Sequence, residues 1–167
     1  MNTMQGTHNG HRVPSPALQW AGSLPHLAAD VVRDADLTQP HFHFRVPATP
    51  AKLAILRACV RDWTQDIGLT AERSDDVVLV VDEAIANAVE HAYADDQTGA
   101  VVVFAAQDRD ASVVRVVVSD DGTWRRPAAD PGFRGRGLSL MRALSDVFNL
   151  HHDSRGTTVV LGWALPS

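Results

Sequence analysis

Apolar and polar positions along this chain repeat with two different periods, and the changes of period outline its elements. From Ser74 to Ala94, Val77, Val80, Val81, Ala84, Ala88 and Ala92 fall three and four residues apart with no Gly or Pro between them, which predicts a helix with one buried face. Leu53, Leu56, Val60, Trp63 and Ile67 repeat in the same way behind Thr49-Pro50, an N-cap residue followed by a proline suited to the first helical turn, with Gly68 as the stop. His41 to Val46 alternates strictly between polar and apolar residues and predicts a half-buried strand ended by Pro47. The valine-rich runs Ala100–Ala106 and Ser112–Ser119 flank Asp108-Arg109-Asp110 and read as a hairpin. A short helix from Gly137 to about Asp146 precedes a second hairpin, Val147–His151 and Thr157–Trp163 around Asp153–Gly156. Between Asp120 and Arg134 lies a stretch too long and irregular for a tight turn, of the kind that forms lids.

The first forty residues differ. Histidines and prolines crowd this stretch and no helical or strand period is sustained before His41, so residues 1–40 read as a flexible extension and 41–167 as one domain. Leu24, Leu27, Ala28, Val31 and Val32 within it suit one short amphipathic helix that docks on the domain or on a partner.

Composition changes this picture little. With 167 residues, 45% of them hydrophobic and 21% charged, the chain suits one soluble domain with a real core. A net charge of −5 argues against nonspecific binding to nucleic acid or anionic membrane. Cys59 is the only cysteine, which rules out an internal disulfide; at the edge of the apolar seam it reads as a packed small hydrophobe. No apolar run reaches membrane-spanning length and the N-terminus lacks the pattern of a signal peptide, so the expected setting is cytoplasmic.

Three stretches carry candidate chemistry. On the helix around Asp82, Glu83 and Asn87 are one turn apart on a second face, together with Glu90 or His91. A carboxylate accepts a proton from an attacking hydroxyl, and an amide oxygen ligates a hard cation such as Mg²⁺; taken alone, the same pair is an ordinary solvated face. Val116-Val117-Val118-Ser119-Asp120-Asp121-Gly122 is an apolar run closing on an acidic turn, and by itself reads as that turn. Gly135-Arg136-Gly137-Leu138 opens a helix, where exposed N–H groups and the helix dipole favour phosphate. Arg57 and Arg61 share a polar face of the preceding helix and are either simply solvated or a partner surface.

In that order, followed by Gly156-Thr157-Thr158 before a final strand, these boxes resemble the GHKL (Bergerat-fold) ATPases, and within them the small anti-sigma-factor serine kinases, over about residues 41 to 165. The resemblance implies a two-layer α/β sandwich, with a mixed, mainly antiparallel sheet and helices on one face. It implies ATP and Mg²⁺: Asp120 and Gly122 at the adenine, Thr158 assisting through its hydroxyl, Gly135, Gly137 and Leu138 at the phosphates with Arg134 and Arg136 beside them, and Asn87 on the metal. Glu83 would activate a serine hydroxyl on an anti-sigma-factor antagonist, and the helix carrying Arg57 and Arg61 would meet that antagonist or a sigma factor. Related kinases commonly pair, so a homodimer is also implied.

The chain departs from the family at Thr123-Trp124, where the broader superfamily often has a second glycine, as D-x-G-x-G. A sensor histidine kinase needs a phosphoacceptor histidine on an upstream helical hairpin, and no histidine before Glu83 fits that description. The competing expectation is a non-catalytic module that holds ATP and a sigma factor, antagonist or phosphatase partner; Glu83 favours the enzyme, because a pure binder has no use for that carboxylate.

Overall fold

The computed structural model describes residues 15–91, 99–110, 112–122 and 136–166. In chain order it runs α1 (Pro16–Ala21), α2 (His26–Arg33), β1 (Phe42–Pro47), α3 (Pro50–Asp66), α4 (Ala71–His91), β2 (Ala100–Gln107), β3 (Val113–Asp120), α5 (Arg136–Leu144), β4 (Val147–Asp153) and β5 (Gly156–Ala164). The strands form one sheet in the order β1-β2-β3-β5-β4. Every pairing is antiparallel, where the resemblance implied a mixed but mainly antiparallel sheet. Two helices between β1 and β2 bring the chain back to the end where β1 stopped, so that Pro47 faces Ala100 in the register. The other consecutive strand pairs, β2–β3 and β4–β5, are hairpins.

Helices α3, α4 and α5 cover one face. Leu56, Val60 and Trp63 of α3 and Val77, Val80, Val81, Ala84, Ile85 and Ala88 of α4 are buried against Val103, Ala105, Val114, Val116, Val118, Val159, Leu161 and Trp163 of the sheet. Each fully buried Val or Leu contributes roughly 1.5–3 kcal/mol, so this layer dominates the stability. Two tryptophans bury their rings without stranding a donor: Trp63 Nε1 donates to Pro40 O at 2.9 Å and Trp163 Nε1 to Leu144 O at 2.7 Å. The second of these ties β5 to the end of α5. Thr49 is extended and Pro50 opens α3, as the sequence predicts; Gly68, with φ +77°, follows its last turn.

The opposite face is not bare, which corrects the expectation of helices on one side and of a flexible segment up to residue 40. Ala17 and Ala21 of α1 and Ala28, Val31 and Val32 of α2 bury themselves on Phe104, Ala106, Val117 and Val160. Helices of six and eight residues are marginal alone, since isolated helices need ~12–15 residues to persist in water. Tertiary burial of the apolar stripe decides the matter here.

Candidate functional site

The buried face of α4 turns its half-buried Glu83 and Asn87 to the edge of the core, toward the start of α5. Opposite them stands the buried Gly137. A methyl group there would lie 3.0 Å from Glu83 Oε2 and 3.4 and 3.6 Å from Asn87 Nδ2 and Oδ1. The missing side chain therefore lets the first turn of α5 close on a carboxylate and an amide. First-turn N–H groups have no partner within their helix and carry the positive end of its dipole, so this corner brings a helix end able to take an anion beside a carboxylate and an amide. Leu138 packs against the core and fixes the helix there.

The second pole of the site is Asp120, the last residue of β3. Gly122 N donates to its Oδ1 at 2.9 Å, and the backbone N–H of Thr157 also donates to the carboxylate. Burial pushes its pKa up to about 6; the two backbone donors pull the other way, and the neighbouring Asp121 charge adds a smaller upward push. Because the folded value lies above the ordinary carboxylate value, the folded state favours the protonated form. Its contribution to stability is complete in acid and is lost as pH rises from about 3.8 to about 6. An ionised Asp120 held at neutral pH is thus kept against burial, as a functional acceptor often is.

If Asp120 accepts a hydrogen bond from an adenine amino group, its ionised form serves best. Nucleotide affinity is then expected to fall severalfold more between pH 7.5 and 5.5 in the wild type than in Asp120→Asn. Calorimetry on both proteins checks this, since the titration of the nucleotide's own phosphate is common to both and cancels. Parallel profiles would exclude Asp120 as the titrating acceptor.

Asp120 is held in place by a backbone contact. Gly156 opens β5 with φ +141°, and a Cβ there would lie 1.9 Å from Asp120 O and 2.8 Å from Asp121 Cα. Only glycine allows the β4–β5 turn to pass this close to the end of β3.

The structure moves one sequence assignment. Asp120 pairs with Thr157 and Ser119 with Thr158. Successive strand residues point to opposite faces. The parity of Asp120 and Thr157 is that of Val118 and Val159, under the α3–α4 layer; that of Ser119 and Thr158 is the parity of Val117 and Val160, under α1 and α2. Thr158 Oγ1 bonds Ser119 Oγ at 3.0 Å on that far side. Thr157, not Thr158, shares the face of Asp120. Counting parity back from Trp163 to Asp120 through the two strands would have found it.

Arg57 and Arg61 are engaged across the α3–α4 seam. Arg57 donates Nε to Asp82 Oδ1 and Nη2 to Asp82 Oδ2, both at 3.0 Å, and Arg61 Nη1 reaches Asp75 Oδ1 at 3.1 Å. Both pairs are substantially exposed, where an ion pair contributes about 0–1 kcal/mol, so either arginine is easily recruited by a partner. Arg136 is the first residue of α5; Arg134, Gly135 and the Thr123-Trp124 departure lie outside the described residues.

A sandwich whose layers hold a half-buried carboxylate at a strand end and a second carboxylate, an amide and a helix N-terminus at one corner has the makings of a nucleotide-binding fold of the histidine kinase type. The family model for the histidine kinase-like ATPase domain matches residues 46–163, and the chain belongs to that family. The serine-protein kinase RsbW of Bacillus subtilis (strain 168) is 32% identical over 136 residues, spanning 72% of this chain and 83% of the relative. The crystal structure of the RsbU and RsbW domains of a Mycobacterium tuberculosis protein superimposes with a TM-score of 0.62 at 33% identity; the match covers 75% of this chain and 32% of that longer one. A blue-light activated histidine kinase of Erythrobacter litoralis, 23% identical with a TM-score of 0.50 over 69% of this chain and 41% of its own, shares the fold.

Proposed function

We propose that this chain is an ATP-dependent serine protein kinase of a partner-switching system, acting as an anti-sigma factor that phosphorylates a serine on an anti-sigma-factor antagonist. The observation that carries the catalytic part is the convergence of Glu83 and Asn87 on Gly137. It sets a proton acceptor beside a phosphate cradle, and a domain that only held nucleotide would not need the carboxylate there. The identity to serine-protein kinases over most of their length supports the same reading.

Asp120 accepts a hydrogen bond from the adenine amino group, with Thr157 on the same face and Gly122 leaving room for the ring. The first turn of α5 receives the phosphates, and Asn87 supplies an oxygen to Mg²⁺. The Asn87 amide oxygen is a hard donor of the kind that would suit Mg²⁺. The bound metal would neutralise charge on the phosphates during transfer. Glu83 orients the incoming serine hydroxyl and takes its proton as the oxygen attacks the γ-phosphorus, while the bond from that phosphorus to the β–γ bridging oxygen breaks and ADP leaves. Electrostatic positioning supplies most of the rest, as phosphoryl transfer requires little covalent participation by the protein. The exposed α3 surface around Arg57 and Arg61 meets the antagonist or the sigma factor.

Incubation of the chain with γ-labelled ATP, Mg²⁺ and a candidate antagonist tests this. Label on an antagonist serine is expected, together with its loss when that serine is replaced. Tight ATP binding without transfer to any antagonist that the chain binds would instead support the non-catalytic module.

A further inference from the structure

Helices α1 and α2 precede residue 46, where the family match begins, and they lie on the sheet face away from the nucleotide site. Their attachment has two unequal ends. At the C-terminal end, backbone bonds fix the segment to the β2–β3 turn: Asp36 N donates to Gln107 O at 2.8 Å and Arg109 N to Asp34 O at 3.0 Å. Arg109 Nη2 adds a bond to Ala35 O at 3.3 Å. At the other end, α1 meets the sheet through Trp20, whose ring stacks on His43 at 4.8 Å with 27° between the planes. His43 in turn meets Phe104 edge-on at 6.2 Å. His43 Nε2 is buried and has no hydrogen-bond partner among the described residues.

We infer that α1–α2 is a pH-sensitive latch hinged at Asp34–Asp36, closed while His43 is neutral and released from the sheet when His43 takes up a proton. A neutral imidazole tolerates a bare, buried Nε2; an imidazolium must place a charged N–H there with no acceptor. Burial accordingly lowers the His43 pKa below its ordinary value of 6.5. With the folded value depressed, the contribution to docking is complete above pH 6.5 and is lost as pH falls through the folded value.

Among the described residues, the surroundings offer no compensating acid. Helix α1 carries none from Pro16 to Ala21, and the facing residues of β2 are apolar. Arg45 shares the His43 side of β1 and opposes a further positive charge. On α2, Asp30 is already paired with His26 and Arg33. Stacking on Trp20 favours the cation, but this attraction leaves the buried N–H unsatisfied. Release would uncover Phe104, Val117 and Val160, an apolar face able to meet another protein.

Amide hydrogen exchange on the full chain at pH 7.5 and 5.5, corrected for intrinsic exchange, tests the latch. Protection of residues 16–33 is expected to drop measurably at the lower pH in the wild type. It should hold constant in His43→Phe, which keeps the stack and removes the titration. Unchanged protection in the wild type, or an equal loss in His43→Phe, overturns the proposal. Because Asp120 lies on the other face, a change confined to residues 120–122 and 156–158 would report that site and count equally against the latch.

Discussion

Gly156→Ala should weaken ATP binding by about a hundredfold and destabilise the fold by roughly 3 kcal/mol, although residue 156 bears no functional group. Its added Cβ would occupy the space of the Asp120 carbonyl, 1.9 Å away, on a backbone with φ +141°. The atom in the way is backbone rather than the end of a flexible side chain, so relief requires β5 and the end of β3 to part. The Asp120 carboxylate, held by the N–H groups of Gly122 and Thr157, shifts with them. Gly68 provides the control. It also has positive φ, at +77°, but nothing lies within 4 Å of its added Cβ. Gly68→Ala therefore meets only local backbone strain of about 1–2 kcal/mol, and ATP affinity is retained. Thermal unfolding and nucleotide calorimetry on both variants separate strain from site loss. Similar behaviour of the two would show that the Gly156 contact does not position Asp120.

Glu83→Gln is expected to lower phosphoryl transfer by about 10²–10⁴-fold while ATP affinity stays within severalfold. Glutamine preserves the volume beside Gly137 and the hydrogen-bonding reach, and removes only the capacity to take a proton. The fall should appear in the rate of transfer at saturating ATP, with little change in the nucleotide concentration needed for half-saturation. Single-turnover assays with labelled ATP and the antagonist measure it. Transfer at the wild-type rate would exclude Glu83 as the base, and a large loss of ATP affinity would assign it to binding instead.

Much of this architecture is legible in the pattern of side chains. The α3 seam from Leu53 to Ile67 and the α4 seam from Val77 to Ala88 repeat at helical spacing because each helix buries a single face, and both hairpins show as alternating or valine-rich runs around polar turns. Of the α1–α2 layer only α2 is legible, from Leu27, Ala28, Val31 and Val32; α1, six residues long, is too short for a sustained period and folds only through burial on the sheet. A signal for it exists in the strands themselves. Val101 to Ala106, Val116 to Val118 and Val159 to Leu161 are buried at every position, as in a sheet covered on both sides.

The site divides similarly. Glu83 and Asn87 are visible because helical spacing fixes their common face, and Gly137 because a glycine opens the next helix. Gly156 and Thr157 depend on the register between β3 and β5, a contact across more than thirty residues that local pattern does not determine. A one-residue shift in that register exchanges the two faces, and the resemblance that points to Thr158 carries no register, whereas the pairing puts Thr157 on the face of Asp120.

The measurement that tests the central claim most directly is an ATP titration by calorimetry, with and without Mg²⁺, on the wild type and Asp120→Ala. The account predicts Mg²⁺-strengthened binding by the wild type that weakens at least about tenfold in the variant, as loss of a hydrogen bond to a charged group implies. Equal affinity in the two proteins, or no binding by the wild type, would contradict an ATP site built on Asp120.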